Sequence, residues 1–296
     1  MSNSTSVLHL KNIFVLVLAM SFAWMLSSGA FMTMAGAADT SSSDPAEALA
    51  SLVGLLAACI AEVLVVAWFI SRTHLRGSQL ALRVFVIVFG VMFFMTQIET
   101  LFFNSAINMP LEVVAATVAS GLVASLAVAA LSPRYARRIA LPQSATQASD
   151  PVASSIAAFV ILGAAYVVLY FVVGYYVAWQ SEDLREFYTG SPDILPFWEH
   201  MMGTLSGDPF LTPFQFLRGL IWAAIGLSVL NGITPRSGWQ SYGIVAASLS
   251  IGLAVPLLVP NPFMPDVVRT AHFTELLISN ALFGVLVVFV FGRQNR

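Results

Sequence analysis

Charge is what this chain has least of. Of its 296 residues, 9% are Asp, Glu, Lys or Arg, whereas 58% are hydrophobic. A soluble domain carries about 25% charged residues, so no water-soluble surface can be built here and most of the outside must face lipid. The net charge of -2 lacks the basic excess that nucleic-acid binding requires, so nucleic acid is not expected as a partner. Cys59 is the only cysteine, so no intramolecular disulfide can form, and CxxC-type zinc and iron–sulfur patterns are missing. The 4 histidines include too few within apolar runs to ligate a pair of haems. The absence of a Walker A sequence removes an ATP-driven pump. The absence of HExxH and GxSxG removes the zincin and serine-hydrolase readings. No Arg-rich helix suggests a voltage sensor. No cofactor is readable, and the motifs weigh against an enzyme.

What is present is apolar run after apolar run. A helical span needs about 20 mainly apolar residues, and eight such runs lie at 13–34, 47–71, 80–104, 110–131, 155–179, 213–233, 239–259 and 267–291. They do not alternate in character, and they are too long for barrel strands of about 10 residues. The fold expected is an all-α, polytopic transmembrane bundle of about eight spans in contact with the lipid bilayer.

The connections set a direction. Lys11, Arg72, Arg76, Arg83, Arg134, Arg137, Arg138, Arg236, Arg293 and Arg296 all fall on one side if there are eight crossings. Asp39, Asp44, Glu47, Glu182, Asp183, Glu186, Asp193, Glu199 and Asp208 fall on the other. The positive-inside rule makes the basic side cytoplasmic, which puts both ends of the chain inside. Arg185, Arg218 and Arg269 break the pattern. Lys11 is the sole lysine among the 13 basic residues. With the high alanine content, this is the habit of a GC-rich bacterial genome, and the membrane expected is the cell inner (plasma) membrane. The first run followed by Ala35-Gly36-Ala37-Ala38 resembles a cleavable signal peptide. Its length exceeds the 7–15 residues typical of such a core, so it is read as a retained span.

The chain reads as a single membrane domain over 1–296, with a four-helix half at 13–131, a cytoplasmic linker at 132–154 and a second half at 155–291. The linker is flexible in composition, rich in Ser, Ala, Gln and Pro from Pro142 to Ser154. The connection 180–212 is the long external one. Its Phe187, Tyr188, Phe197 and Trp198 among acidic residues suit helix lying on the membrane surface. A lid over a pocket is the alternative. The small-residue stripes Ala116, Ser120, Ala124 and Gly243, Ala247, Ser250, Ala254 are packing faces that let helix backbones approach.

An ionisable group in hydrocarbon costs roughly 2.5–3.5 kcal/mol on insertion scales, so each one needs a partner, water or a function. The third span ends with Thr96, Gln97, Glu99, Thr100 and Asn104, with Glu99 turned away from Gln97. The sixth carries Gln215, Arg218 and Trp222 on one face. On the eighth, Arg269, His272, Glu275, Ser279 and Asn280 share an arc of about 140°. All three sets fall in the outer half of the membrane. Glu99 and Arg218 suit a solute or ion site, or a salt bridge pinning two helices. Arg269 lies within snorkelling reach of the interface. His272 and Glu275 form an HxxE pair one helical turn apart, suited to handling a proton or solute, or to an interhelical hydrogen bond. As metal ligands they are weak candidates, with His200 and Glu199 the other ligands in reach. Glu62 stands alone in the second span, on a face with Gly54 and Ala58.

The leading expectation is a pocket between the third, sixth and eighth spans that binds or translocates a small solute or proton. Glu99, Arg218, His272, Glu275, Gln97 and Arg269 would serve it. Two alternatives stand beside it: a non-catalytic subunit or assembly factor with a membrane-protein partner, and a metal-dependent membrane enzyme.

Overall fold

A computed structural model describes residues 10–36, 44–136, 155–234 and 238–293. Among them, eight helices are long and apolar enough to cross a bilayer: Leu10–Met34, Pro45–Arg72, Gly77–Phe102, Leu111–Ala136, Ile156–Gln180, Leu211–Gly232, Trp239–Leu258 and Asp266–Gly292. They are referred to as the first to eighth spans. The chain is a multi-pass, all-helical membrane protein. In hydrocarbon every backbone group must be paired within the segment, and a helix does this residue by residue. Residues 137–154 of the expected linker, Ala37 and Ala38 of the cleavage-like sequence, and Asp39, Arg137, Arg138, Arg236 and Arg296 lie outside the described residues. The linker was expected from residue 132, but the fourth helix continues through Pro133 to Ala136.

Local chemistry sets several boundaries. Asp44 caps the second span, its side chain accepting from Ala46 N at 2.9 Å, with Pro45 opening the helix. Ser155 caps the fifth span in the same way through Ala158 N. The third span is not a uniform α-helix: Val86–Phe94 form wider π-type turns around Gly90. Regular helix stops at Phe102, short of the expected end. A single turn, Asn104–Ile107, follows, and Asn108 is left-handed with φ 55°. Asn104 Oδ1 accepts from Met109 N at 2.9 Å and closes the loop.

The first span packs on the fourth and second, and the third on the fourth. The fifth packs on the sixth and eighth, and the seventh on the eighth. These two groups meet through the second and third spans against the sixth and seventh. The second and seventh run antiparallel, Gly54 against the Leu258 carbonyl and Trp68 against Gly243. At the end carrying Arg72 and Arg76, Thr73 Oγ1 donates to the Gly232 carbonyl and Thr234 N to the Arg72 carbonyl, tying the second span to the sixth. We refer to this as the basic end. The opposite, acidic end carries the connection 180–212.

Candidate functional site

The acidic end encloses a cavity of about 750 Å³. Third-span Thr96, Gln97, Glu99 and Thr100, fifth-span Tyr170, Gly174 and Tyr175, and eighth-span His272, Glu275 and Leu276 form its walls. The connection 180–212 closes part of it. Two short helices, Glu182–Thr189 and Phe197–Gly207, bring Leu184, Tyr188, His200, Met201 and Thr204 to the lining. Ser181 caps the first of these through Leu184 N, with Glu182 and Asp183 in its first turn, and left-handed Gly190 ends it. The second helix turns Trp198, Met202 and Leu205 outward as an exposed apolar stripe.

The structure brings Glu99 and Arg218 together. The guanidinium grips the carboxylate with both terminal nitrogens, at 2.8 and 2.7 Å, and the Gln215 Oε1 accepts a further bond at 2.9 Å. Tyr166 and Phe214 each offer a ring face with the guanidinium carbon 5.7 Å from the centroid. The Arg218 side chain is 1% exposed and that of Glu99 22%. Glu99 thus faces the cavity with its counter-ion behind it. One turn deeper, Trp222 Nε1 donates to the Tyr166 hydroxyl, and Tyr166 meets Phe283 edge-on. These buried aromatics close the bundle beneath the pair.

His272 and Glu275 also meet, Nδ1 to Oε2 at 3.0 Å, and both line the cavity. The other ring nitrogen, Nε2, lies 3.0 Å from the hydroxyl of Tyr188 in the roof. Burial, with the Glu99 and Glu275 carboxylates nearby, holds the Tyr188 phenol above its ordinary titration range. The phenol therefore keeps its proton to donate. A neutral imidazole accepts it at Nε2 and donates Nδ1–H to Glu275; an imidazolium donates on both sides.

Other expected members are placed differently. Gln97 lines the cavity, its buried Oε1 unpartnered. Arg269 is buried. It bonds the Leu257 carbonyl at 2.6 Å and pairs with Asp266, fastening the seventh-to-eighth connection. Ser279 and Asn280 bond back to the Leu276 carbonyl of their own helix. His200 stacks near Trp179, ring centroids 4.6 Å apart, and burial there lowers its pKa. Among the described residues no three His, Cys, Asp or Glu side chains converge as a metal site. Arg185, the remaining basic exception, is buried against the Pro192 and Trp179 carbonyls at 2.6 and 2.7 Å and folds the roof upon itself.

Tyr188, Tyr170 and Tyr175 entered the site without having been picked out by periodicity. Tyr188 had a signal, an aromatic inside a short acidic helix at the right end of the bundle. The fifth-span tyrosines sit in an all-round apolar helix whose pattern marks no face.

Fold and site together define a multi-pass helical membrane protein with a roofed, largely apolar cavity at one end, lined by a few polar groups. A scan against protein-family models finds no match, and searches of the curated proteins and of the solved structures find none either.

Proposed function

We propose that the protein binds a small solute in this cavity, and that the solute is mainly apolar and neutral or cationic at its polar end. His272 and Glu275 take up and release protons beside it. The observation that carries the reading is the convergence of Glu99, His272 and Glu275 on one aromatic-walled space of about 750 Å³. Pockets of this size, largely apolar with a few placed polar groups, are the usual form of small-molecule sites. An anionic solute is disfavoured. Both terminal nitrogens of Arg218 are spent on Glu99, and Arg269 is spent on the connection that it fastens. Arg218 thus serves to neutralise Glu99 rather than to hold an anion. By the positive-inside rule the acidic end is external and both termini are cytoplasmic, so the cavity opens outward. Translocation would require the layer of Tyr166, Trp222 and Phe283 to part.

After replacement of Cys59, a cysteine at His272→Cys or Glu275→Cys should react with a small water-soluble thiol reagent added from outside. A short-chain alkylammonium should protect His272→Cys, and the alkylcarboxylate of equal length should not. His272→Ala should still accumulate in the membrane. Unreactive cysteines together with a His272→Ala protein that fails to accumulate would leave only a dry helix contact and end this reading.

A further inference from the structure

The second span holds a carboxyl that the cavity cluster does not use. Glu62 is fully buried, and no protein group hydrogen-bonds either of its oxygens. It sits within the second span, between the levels at which Gly54 meets Leu258 and Trp68 meets Gly243. Opposite it the seventh span presents Gly252, where a Cβ would lie 2.6 Å from Glu62 Oε2. The glycine leaves the space that the carboxyl fills. Val91 Cγ1, from the widened part of the third span, lies 3.2 Å from the same point. Ser248, about one turn before Gly252 on the same face, has a buried hydroxyl without a partner. Cys59, one turn before Glu62, is the titratable group beside it. Of the charged side chains on the first and third spans, Lys11 is exposed, Arg83 bonds Ser228 and Glu99 bonds Arg218, and the seventh span carries none.

In this arrangement no cation and no donor reaches the carboxyl oxygens, in the setting where an ionised group is most costly. A carboxyl survives there by holding a proton. The route for that proton is short. Leu253 follows Gly252 in the chain and Met92 follows Val91, and both Leu253 and Met92 line the cavity. We propose that Glu62 is a proton-binding site in the membrane interior, which exchanges its proton with cavity water through the floor formed by Met92 and Leu253. The site does not depend on which solute the cavity takes.

Two measurements on the full-length purified protein test it. Dicyclohexylcarbodiimide, a hydrophobic reagent, adds a carboxylic acid across one C=N bond. The carboxyl oxygen bonds to the central carbon, the proton passes to nitrogen, and the adduct rearranges to an N-acylurea with nothing lost. Peptide mass spectrometry should find this adduct on Glu62, in falling yield as pH rises. In infrared spectra, the acid carbonyl band removed by Glu62→Gln should shift promptly on transfer to D₂O. Leu253→Phe, which narrows the floor, should slow that shift. If Glu62→Gln fails to accumulate, Glu62→Asp replaces it, since it moves the band rather than deleting it. No adduct and no acid band from mildly acidic to mildly alkaline pH would overturn the proposal, as would a band that stays in place in D₂O. An unchanged shift rate in Leu253→Phe would overturn the route through the floor.

Discussion

Arg218 and Glu99 form one unit with unequal exposure. The cation is 1% exposed, whereas the carboxylate, at 22%, reaches the cavity. Breaking a buried pair strands the survivor, at a typical cost of about 3–5 kcal/mol. The stranded group decides the size of the effect. Glu99→Gln leaves a guanidinium sealed among Tyr166, Phe214 and Gln215, and should lower thermal stability in detergent by close to that amount. Arg218→Gln leaves a carboxylate that cavity water can solvate, and should cost clearly less. The double variant should lose less than the sum of the two. Additive losses, or equal ones, would show that the pair is not the buried unit described.

At the scale of elements, the roof and the seventh–eighth contact each make a prediction. In the roof, burial against Trp179 lowers the His200 pKa. The folded form thus favours neutral imidazole, and the unfolded form takes up a proton at about pH 6.5. The contribution is fully present above that value and is lost as pH falls through the lowered folded-state pKa. The protection of 197–207 against hydrogen exchange, referred to the intrinsic rate at each pH, should fall on acidification below about pH 6.5, and His200→Phe should remove that dependence. Protection that does not change with pH would contradict the packing. In the membrane, a Cβ on Gly284 would lie 2.5 Å from Ala246 Cα and 2.8 Å from Ala246 N. Backbone atoms cannot move aside, so Gly284→Ala must part the seventh and eighth spans, at about 1–3 kcal/mol for such overpacking. Gly29→Ala meets nothing within 4 Å and should be neutral or slightly stabilising in the same melting assay.

For the whole molecule, the prediction is sidedness. All three basic residues on the acidic side are held internally. Arg185 holds backbone carbonyls of the roof, Arg218 holds Glu99, and Arg269 holds Leu257 and Asp266. None is left as a free surface charge to vote on orientation, so the remaining basic residues carry the positive-inside signal undiluted. With Cys59 replaced, Ser191→Cys should label in intact cells with an impermeant thiol reagent, and Ser144→Cys only after permeabilisation. The reverse pattern would invert the protein and turn the cavity to the cytoplasm.

Length and hydropathy are local quantities that the bilayer reads directly. The sequence by itself therefore determined the eight helices, their near boundaries and the separation of basic from acidic connections. The same logic put Glu99, Arg218, His272 and Glu275 at one depth, because position along a span is a depth. Which groups touch is a different matter. It depends on helix rotation, on the widened turns of Val86–Phe94 and on the path of the connection 180–212, none of which leaves a period in the sequence. Only the tertiary structure brought Tyr188 over His272 and laid His200 against Trp179. It alone spent Arg269 on a loop carbonyl and set Gly252 opposite Glu62. The physical reason is that lipid fixes how deep a residue sits, while the neighbouring helices decide what it faces.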